Sequence, residues 1–424
     1  MGFFSRYKKI WMIVAFLGVV ALLAYLIWNF FFSSPIVPTD PLAPGSNIGG
    51  LNPAGDGGPN FSTSTGSGQL TPSGGISTPT TGFPSLPSNT PSGSDASDLA
   101  VGGITKVTVA VNSPVLDPFM TSGDQLRYYN QADGKFYRLG ADGQPVSLSD
   151  TVFHKVSDLT WSEDGSKAIL VYPDGSKISY NFNTGKQVTL PKHWEDFSFS
   201  PDGNRITAKS MGDDVENRHL IVSNSDGSKT ASLSAIGNNA DDVYPVWSPN
   251  NQVAAMYTRG VDFNRQEVFF VGLNGENFKS TIINGRDFRP LWSDAGDKLL
   301  YSVYSSDRGM MPSLWVVNAQ GENIGQNRTE LGLTTWSDKC TFATNSDIYC
   351  AVPEILREGA GLFPELADQT RDLLYKIDLT TGAKKLIAIP QTDANISNIM
   401  VSGSQDTLYY TDKFTGRIYS VQLR

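Results

Sequence analysis

One short phrase recurs through this 424-residue chain and restricts what it can fold into. It reads WSEDG at Trp161 to Gly165, FSPDG at Phe199 to Gly203, WSPNN at Trp247 to Asn251, WSDAG at Trp292 to Gly296 and WSDKC at Trp336 to Cys340. The aromatic residues fall 38, 48, 45 and 44 positions apart. Each aromatic ends a strand, and a turn follows. Pro presets φ at the first corner, Asp or Asn closes the turn through its side chain, and Gly takes positive φ without steric cost. A second strand begins at once, as at Ala168 to Tyr172 and Arg205 to Lys209, and a third follows, as at Lys177 to Asn181 and His219 to Ser223. Small turns, NTG at Asn183 to Gly185 and SDG at Ser225 to Gly227, lead into a fourth. Four antiparallel strands in a unit of about forty residues make a propeller blade. In this reading the recurrent Asp residues form turns and do not bind metal.

The W-S-P-D-G phrase and this strand order resemble the TolB-like propeller repeats, which are similar in turn to the propeller domains of prolyl-oligopeptidase-type peptidases. The resemblance covers about Ile104 to Arg424 and implies a fold rather than an activity, because such propellers serve many roles.

Counting blades by the end of the first strand gives Met120, Trp161, Phe199, Trp247, Trp292, Trp336 and about Met400, which predicts an all-β, seven-bladed propeller. Ile104 to Val111 alternates apolar residues and stands as a fourth strand without its own first three. The C-terminal segment supplies those at about Ile396–Val401, Thr407–Thr411 and Gly416–Leu423, so the N-terminal strand is expected to complete the last blade. Closure removes open sheet edges. Cys340 and Cys350, the only two cysteines, flank the first turn of the sixth blade, and a disulfide between them is expected if the domain is exported.

Ahead of the propeller the composition changes twice. Residues 1–9 are short and basic, with Arg6, Lys8 and Lys9. Residues 10–32 are almost wholly apolar and long enough to cross a hydrocarbon core about 30 Å thick. Trp11 lies near one end and Tyr25 and Trp28 near the other. No Lys or Arg follows Lys9 until Lys106, an asymmetry that puts the N-terminus in the cytoplasm and the remainder outside. An uncleaved anchor is expected, a cleaved secretory signal being the rival reading. Residues 33–103 are rich in Ser, Thr, Pro, Gly and Asn and are expected to be a disordered linker. As a coil it would reach about 45 Å. The propeller domain then occupies residues 104–424.

The net charge of −9, with no basic stripe interleaved with aromatics, excludes a nucleic-acid partner. Three His and two Cys leave no Cys/His zinc set, and no cofactor motif occurs. No G-x-S-x-G elbow is present. Candidate ligand-binding residues come instead from topology. The connections between blades and the loops between second and third strands gather at one mouth of the channel. There, mostly three positions before the blade aromatic, stand Asp117, Asp158, Asp196, Tyr244 and Arg289, with His193 and Glu195 beside them. They form a polar funnel suited to a cation, a basic peptide or a sugar. An insertion from Pro353 to Asp372 overhangs it, with a short helix expected from Pro364 to about Thr370. Its apolar residues Leu362, Phe363 and Leu366 are candidate partner contacts. The expected function is a membrane-tethered, extracytoplasmic binding or scaffold module for a protein or cell-envelope polymer. The alternative is an envelope-acting hydrolase or lyase using Asp158, Asp196 and Glu195.

Overall fold

A computed structural model describes residues 96–424, together with Leu22 and Leu23. The basic N-terminal segment, nearly all of the apolar run and most of the linker lie outside the described residues. Among the described residues no helix is long and apolar enough to cross a membrane. Residues 103–422 form seven antiparallel sheets, each contributing four strands to a blade. The innermost strands are Val115–Met120, Asp158–Trp161, Trp194–Phe199, Val243–Tyr244, Arg286–Trp292, Cys340–Phe342 and Ile396–Val401, in blades one to seven. First strands of blades one and two, two and three, and six and seven touch, and blade seven touches blade one.

The recurrent phrase works as its residue types require. After Trp161, the Ser162 hydroxyl donates to the Asp164 carboxylate at 2.7 Å and accepts from the Lys167 amide at 2.9 Å. Gly165 adopts φ +68° and donates its amide to the Ser162 carbonyl at 2.7 Å. The hydroxyls of Ser200, Ser248, Ser293 and Ser402 likewise accept the amide five residues on, at 3.0, 2.9, 3.1 and 3.1 Å. Asp164, Asp202 and Asn250 each accept an amide within their own turn, at 3.0, 3.1 and 3.1 Å.

The same turns join the blades. Lys167 of blade two donates to the Gly203 carbonyl in the turn of blade three at 2.7 Å, and Asn250 of blade four to Gly296 of blade five at 2.6 Å. Arg127 reaches Gly165 in the same way, and Lys298 reaches the Asn345 carbonyl at 3.1 Å. Between blades seven and one, Asn398 donates to the Pro118 carbonyl at 3.2 Å and the Gly403 amide to Asp124 at 2.6 Å. Apolar side chains fill the space between the sheets. Phe136, fully buried in blade one, packs on Tyr129, Phe153, Trp161 and Phe182.

Two details differ from the sequence-based expectation. The strand expected over Ile104–Val111 is two strands. Gly103–Thr105 runs parallel to Lys384–Pro390 as a fifth strand on blade six. Thr108–Val111 pairs antiparallel with Ile418–Gln422, outermost in the sheet of the last three strands. The intervening Lys106 and Val107 carry the chain from one sheet to the next, which no single strand can do. In blade six the first turn comes six residues late. WSDKC offers no Gly, and Cys340 stays extended at φ −125°, so the chain does not reverse there. Ser337–Lys339 makes one 3-10 turn instead. The reversal follows Phe342, where Thr344 Oγ1 accepts the amides of Ser346 and Asp347 at 3.2 and 2.9 Å. Phe342, not Trp336, is the blade aromatic.

Cys340 and Cys350 sit directly opposite each other on the first two strands of blade six and are joined by a disulfide, with Cα atoms 4.1 Å apart. The bond closes a loop with a sequence separation of 10. Loop-closure entropy assigns such a loop about 2–3 kcal/mol. Reduction, or the double change Cys340→Ser/Cys350→Ser, is expected to lower the calorimetric melting temperature by about 5 °C. An unchanged melt in reductant would show that the bond contributes nothing.

Candidate functional site

Four of the innermost strands are bulged, the one in blade seven between Ile396 and Asn398, and the other three share a further feature. Bulges lie between Leu116 and Phe119 in blade one, Glu195 and Ser198 in blade three, and Arg286 and Arg289 in blade five. Each places an aspartate in the left-handed region: Asp117 at φ 40°, Asp196 at φ 52° and Asp287 at φ 56°. Asp tolerates this backbone better than most residues with a Cβ, and a bulge re-aims the side chain that it carries. Blades one, three and five therefore carry an aspartate at the same bulged position of the innermost strand, and Asp158 opens that strand in blade two. Counting back from the aromatic finds Asp117 and Asp196 but lands on Arg289 in blade five, because that strand is longer. Asp287 is the true counterpart. In blade six the displaced turn puts Lys339 three positions before the blade aromatic.

The carboxylates are not equivalent. Asp196 is 2.7 Å from the ammonium of Lys209, which is buried. Asp287 is 2.9 Å from Arg289, which also reaches Asp338 at 3.3 Å. Among the described residues no cation pairs with Asp117. One of its oxygens is sealed from solvent without a hydrogen-bond partner, although its carbonyl accepts the Trp161 indole at 2.9 Å. Burial, and next the charge of Asp158, push its carboxyl up to about 6, against a backbone hydrogen bond from Leu159. Tyr244 is half-buried with its ring edge-on to Phe288 at 5.4 Å, and burial pushes its phenol up to about 12. His193 and Glu195 are exposed, and the His193 carbonyl accepts the Met211 amide at 2.7 Å. Of the sequence-derived funnel set, then, Asp117 and Asp158 come together, while Asp196 and Arg289 each face partners that the sequence did not indicate.

Asp117 binds a proton more tightly folded than unfolded, so its contribution to stability falls as pH rises from about 4 to about 6 and stays lost above that. A shift from the ordinary 3.8 to about 6 corresponds to about 2–3 kcal/mol at most. Asn keeps the left-handed backbone and cannot ionise. Asp117→Asn is expected to raise the urea midpoint at pH 7.5 and leave it unchanged at pH 4. Equal midpoints at both pH values would show that the carboxyl carries no such penalty.

The insertion of blade six is anchored from below. Lys339 contacts Asp372 at 2.7 and 3.0 Å, and the Asp372 side chain is fully buried. Burial raises the Asp372 carboxyl, opposed by Lys339 and by the Ile396 amide, which donates to it at 2.6 Å. Asn395, also buried, donates to the carbonyls of Ala367 and Thr370 at 2.8 and 3.2 Å. Trp336, freed from blade duty, packs with Ala360, Ala367 and Leu356 beneath the insertion. The 3-10 helix Pro364–Ala367 is shorter than the helix expected to run to Thr370. Gly359 and Gly361 donate to the carbonyls of Gly309 and Met310 at 2.8 and 2.7 Å. A Cβ on Gly361 would lie 2.5 Å from that of Tyr304, so only Gly permits this approach. Above this base Leu362, Phe363 and Leu366 are 47%, 52% and 40% exposed. Removing one partner of a buried pair typically costs 3–5 kcal/mol. Lys339→Met is therefore expected to destabilise the fold by about 3 kcal/mol at pH 7.5, less as falling pH protonates Asp372. A pH-independent loss by chemical denaturation would exclude this origin.

No family model matches the chain, and no curated protein matches it in sequence. Solved structures do. An oligogalacturonate lyase in complex with manganese is similar with a TM-score of 0.53 at 11% identity, over 74% of this chain and 91% of that one. The β-propeller domain of Cps50 (Swd1) from Myceliophteria thermophila is similar with a TM-score of 0.50 at 12% identity, over 75% of this chain and 100% of that one. At such identities the likeness shows the propeller fold alone. Among the described residues no group of three or more His, Cys, Asp or Glu is arranged to hold a metal ion.

Proposed function

We propose that this chain is a membrane-tethered, extracytoplasmic propeller that serves as a binding or scaffold module for a protein or cell-envelope ligand. The apolar run at residues 10–32 supports the tether, and the charge asymmetry around it supports the outward orientation. The observation that carries the binding reading is the insertion of blade six. Leu362, Phe363 and Leu366 stand half-exposed on a base fixed by buried hydrogen bonds, where a merely structural loop would fold its apolar side chains inward. A rigid apolar projection loses little entropy on docking.

A photoreactive amino acid at position 363, introduced in the full-length protein in cells, is expected to yield a discrete cross-linked product. The same label at Asp226, in the outer turn of blade three, is expected to yield none. Leu362→Ser/Leu366→Ser should abolish the product. Equal labelling from both positions, or none from 363, would overturn the proposal.

One observation favours a second reading. Asp117, held protonated up to about pH 6 beside Asp158, has the asymmetry of an acid–base carboxylate pair. In an envelope hydrolase or lyase these two residues would take the acid and base roles. Turnover of envelope polysaccharide or peptidoglycan fragments that disappears in Asp117→Asn would support it, and turnover that survives would reject it.

A further inference from the structure

Resting on the binding reading above, we infer that the mouth-side ridge of blades four to seven binds a polypeptide segment carrying bulky apolar side chains next to lysine or arginine. The ridge is continuous. Asn264 of blade four exchanges hydrogen bonds with Ser306 of blade five at 2.7, 3.0 and 3.1 Å. Blade five holds the insertion through Gly309 and Met310, and the insertion meets blade seven through the Asp368–Lys413 pair. Four separate loops are thereby fixed as one surface before any partner arrives.

Its apolar groups face solvent. Phe263 is 71% exposed, Ile355 70% and Phe414 56%, in addition to the three insertion residues. Two hollows flank them. One, of about 670 Å³, lies between Ile355, Leu366 and Phe414; the other, of about 610 Å³, lies beside Phe263 and Trp315. Each has room for a large side chain, the kind of anchor that dominates binding energy.

Charge selects the partner. The basic groups of the ridge are nearly all used internally. Arg265 is 2.6 Å from Asp262, Arg308 is paired with Glu330, and Arg371 is held by Glu354 at 2.7 Å and Asp393 at 3.4 Å. Arg286 is bound to the carbonyls of Asp262 and Phe263. Asp307, Glu358 and Glu365 stand outside the ion pairs found among the described residues, against Arg286 and Arg357, and Arg371 serves two carboxylates at once. The surplus is negative and borders the apolar groups, so cations next to apolar anchors complement it, while anionic lipid or an acidic polymer is repelled.

The test uses full-length protein immobilised in detergent as bait for a random dodecapeptide phage library, precleared on the Phe363→Ser/Phe414→Ser variant. Enriched peptides are expected to combine Phe, Trp, Leu or Ile with Lys or Arg. Synthetic versions should bind the Phe variant at least tenfold more weakly. They should bind Glu358→Gln/Glu365→Gln about threefold more weakly at low salt, a difference that narrows in 0.5 M NaCl. Melting curves of the variants should match the parent, since all four residues lie at the surface. Acidic peptides, peptides indifferent to the Phe variant, or no enrichment would each overturn the inference. Cross-linking from position 363 separates the two levels: if it succeeds while the library returns acidic sequences, binding stands and the basic partner falls.

Discussion

Strand pairing stops at the edge of each blade in this molecule, and only a few loop amides cross, such as Ser122 to Glu163 and Gly359 to Gly309. Every ladder is satisfied within its own sheet, apart from the parallel addition to blade six. What holds seven sheets in one ring is therefore side-chain chemistry. Apolar residues interleave between blades, and at several boundaries a Lys, Arg or Asn of one blade caps a carbonyl in the first turn of the next. Each such bond contributes about 1 kcal/mol net, whereas the buried aromatic and aliphatic area supplies far more. The bonds chiefly set register. They require the turn to stop at the right level, which is what the Ser, Asp and Gly of the recurrent phrase ensure.

That phrase made most of the architecture readable before any coordinates. Blade number follows from it, as do the innermost-strand ends at Trp161, Phe199 and Trp292, whereas in blade four the strand stops at Tyr244, short of Trp247. The reading slipped where the chemistry slipped. WSDKC keeps the aromatic and the Ser but has no Gly to turn on, and the chain runs on to Phe342. The short strand Gly103–Thr105 escaped notice because three residues carry no periodicity, and its partner lies almost three hundred positions away.

The funnel was legible only in part. Proximity of Asp117 and Asp158 follows from counting positions on adjacent blades. The partners of the other charges do not, because Lys209 and Asp338 reach the mouth through strand register and a displaced turn. The anchoring of the insertion was hidden for the same reason: Lys339, Asp372 and Asn395 lie 33 and 23 positions apart and meet only when blades six and seven are assembled. Buried polar groups of this kind specify one arrangement, since any other leaves them unpaired. The outcome is an apolar ridge held on buried polar contacts, above a mouth where Asp196 and Asp287 are paired with cations and, among the described residues, Asp117 and Asp158 are not.

The route by which the N-terminal segment joins the ring has a mechanical corollary. Residues 103–105 are laid on blade six and residues 108–111 on blade seven, so the segment staples two neighbouring sheets before the first blade begins. A pull transmitted from upstream would meet both ladders before it reached any other blade. How long the ring survives such a load would be set by the rate at which those few bonds rupture, not by the stability of the wheel as a whole.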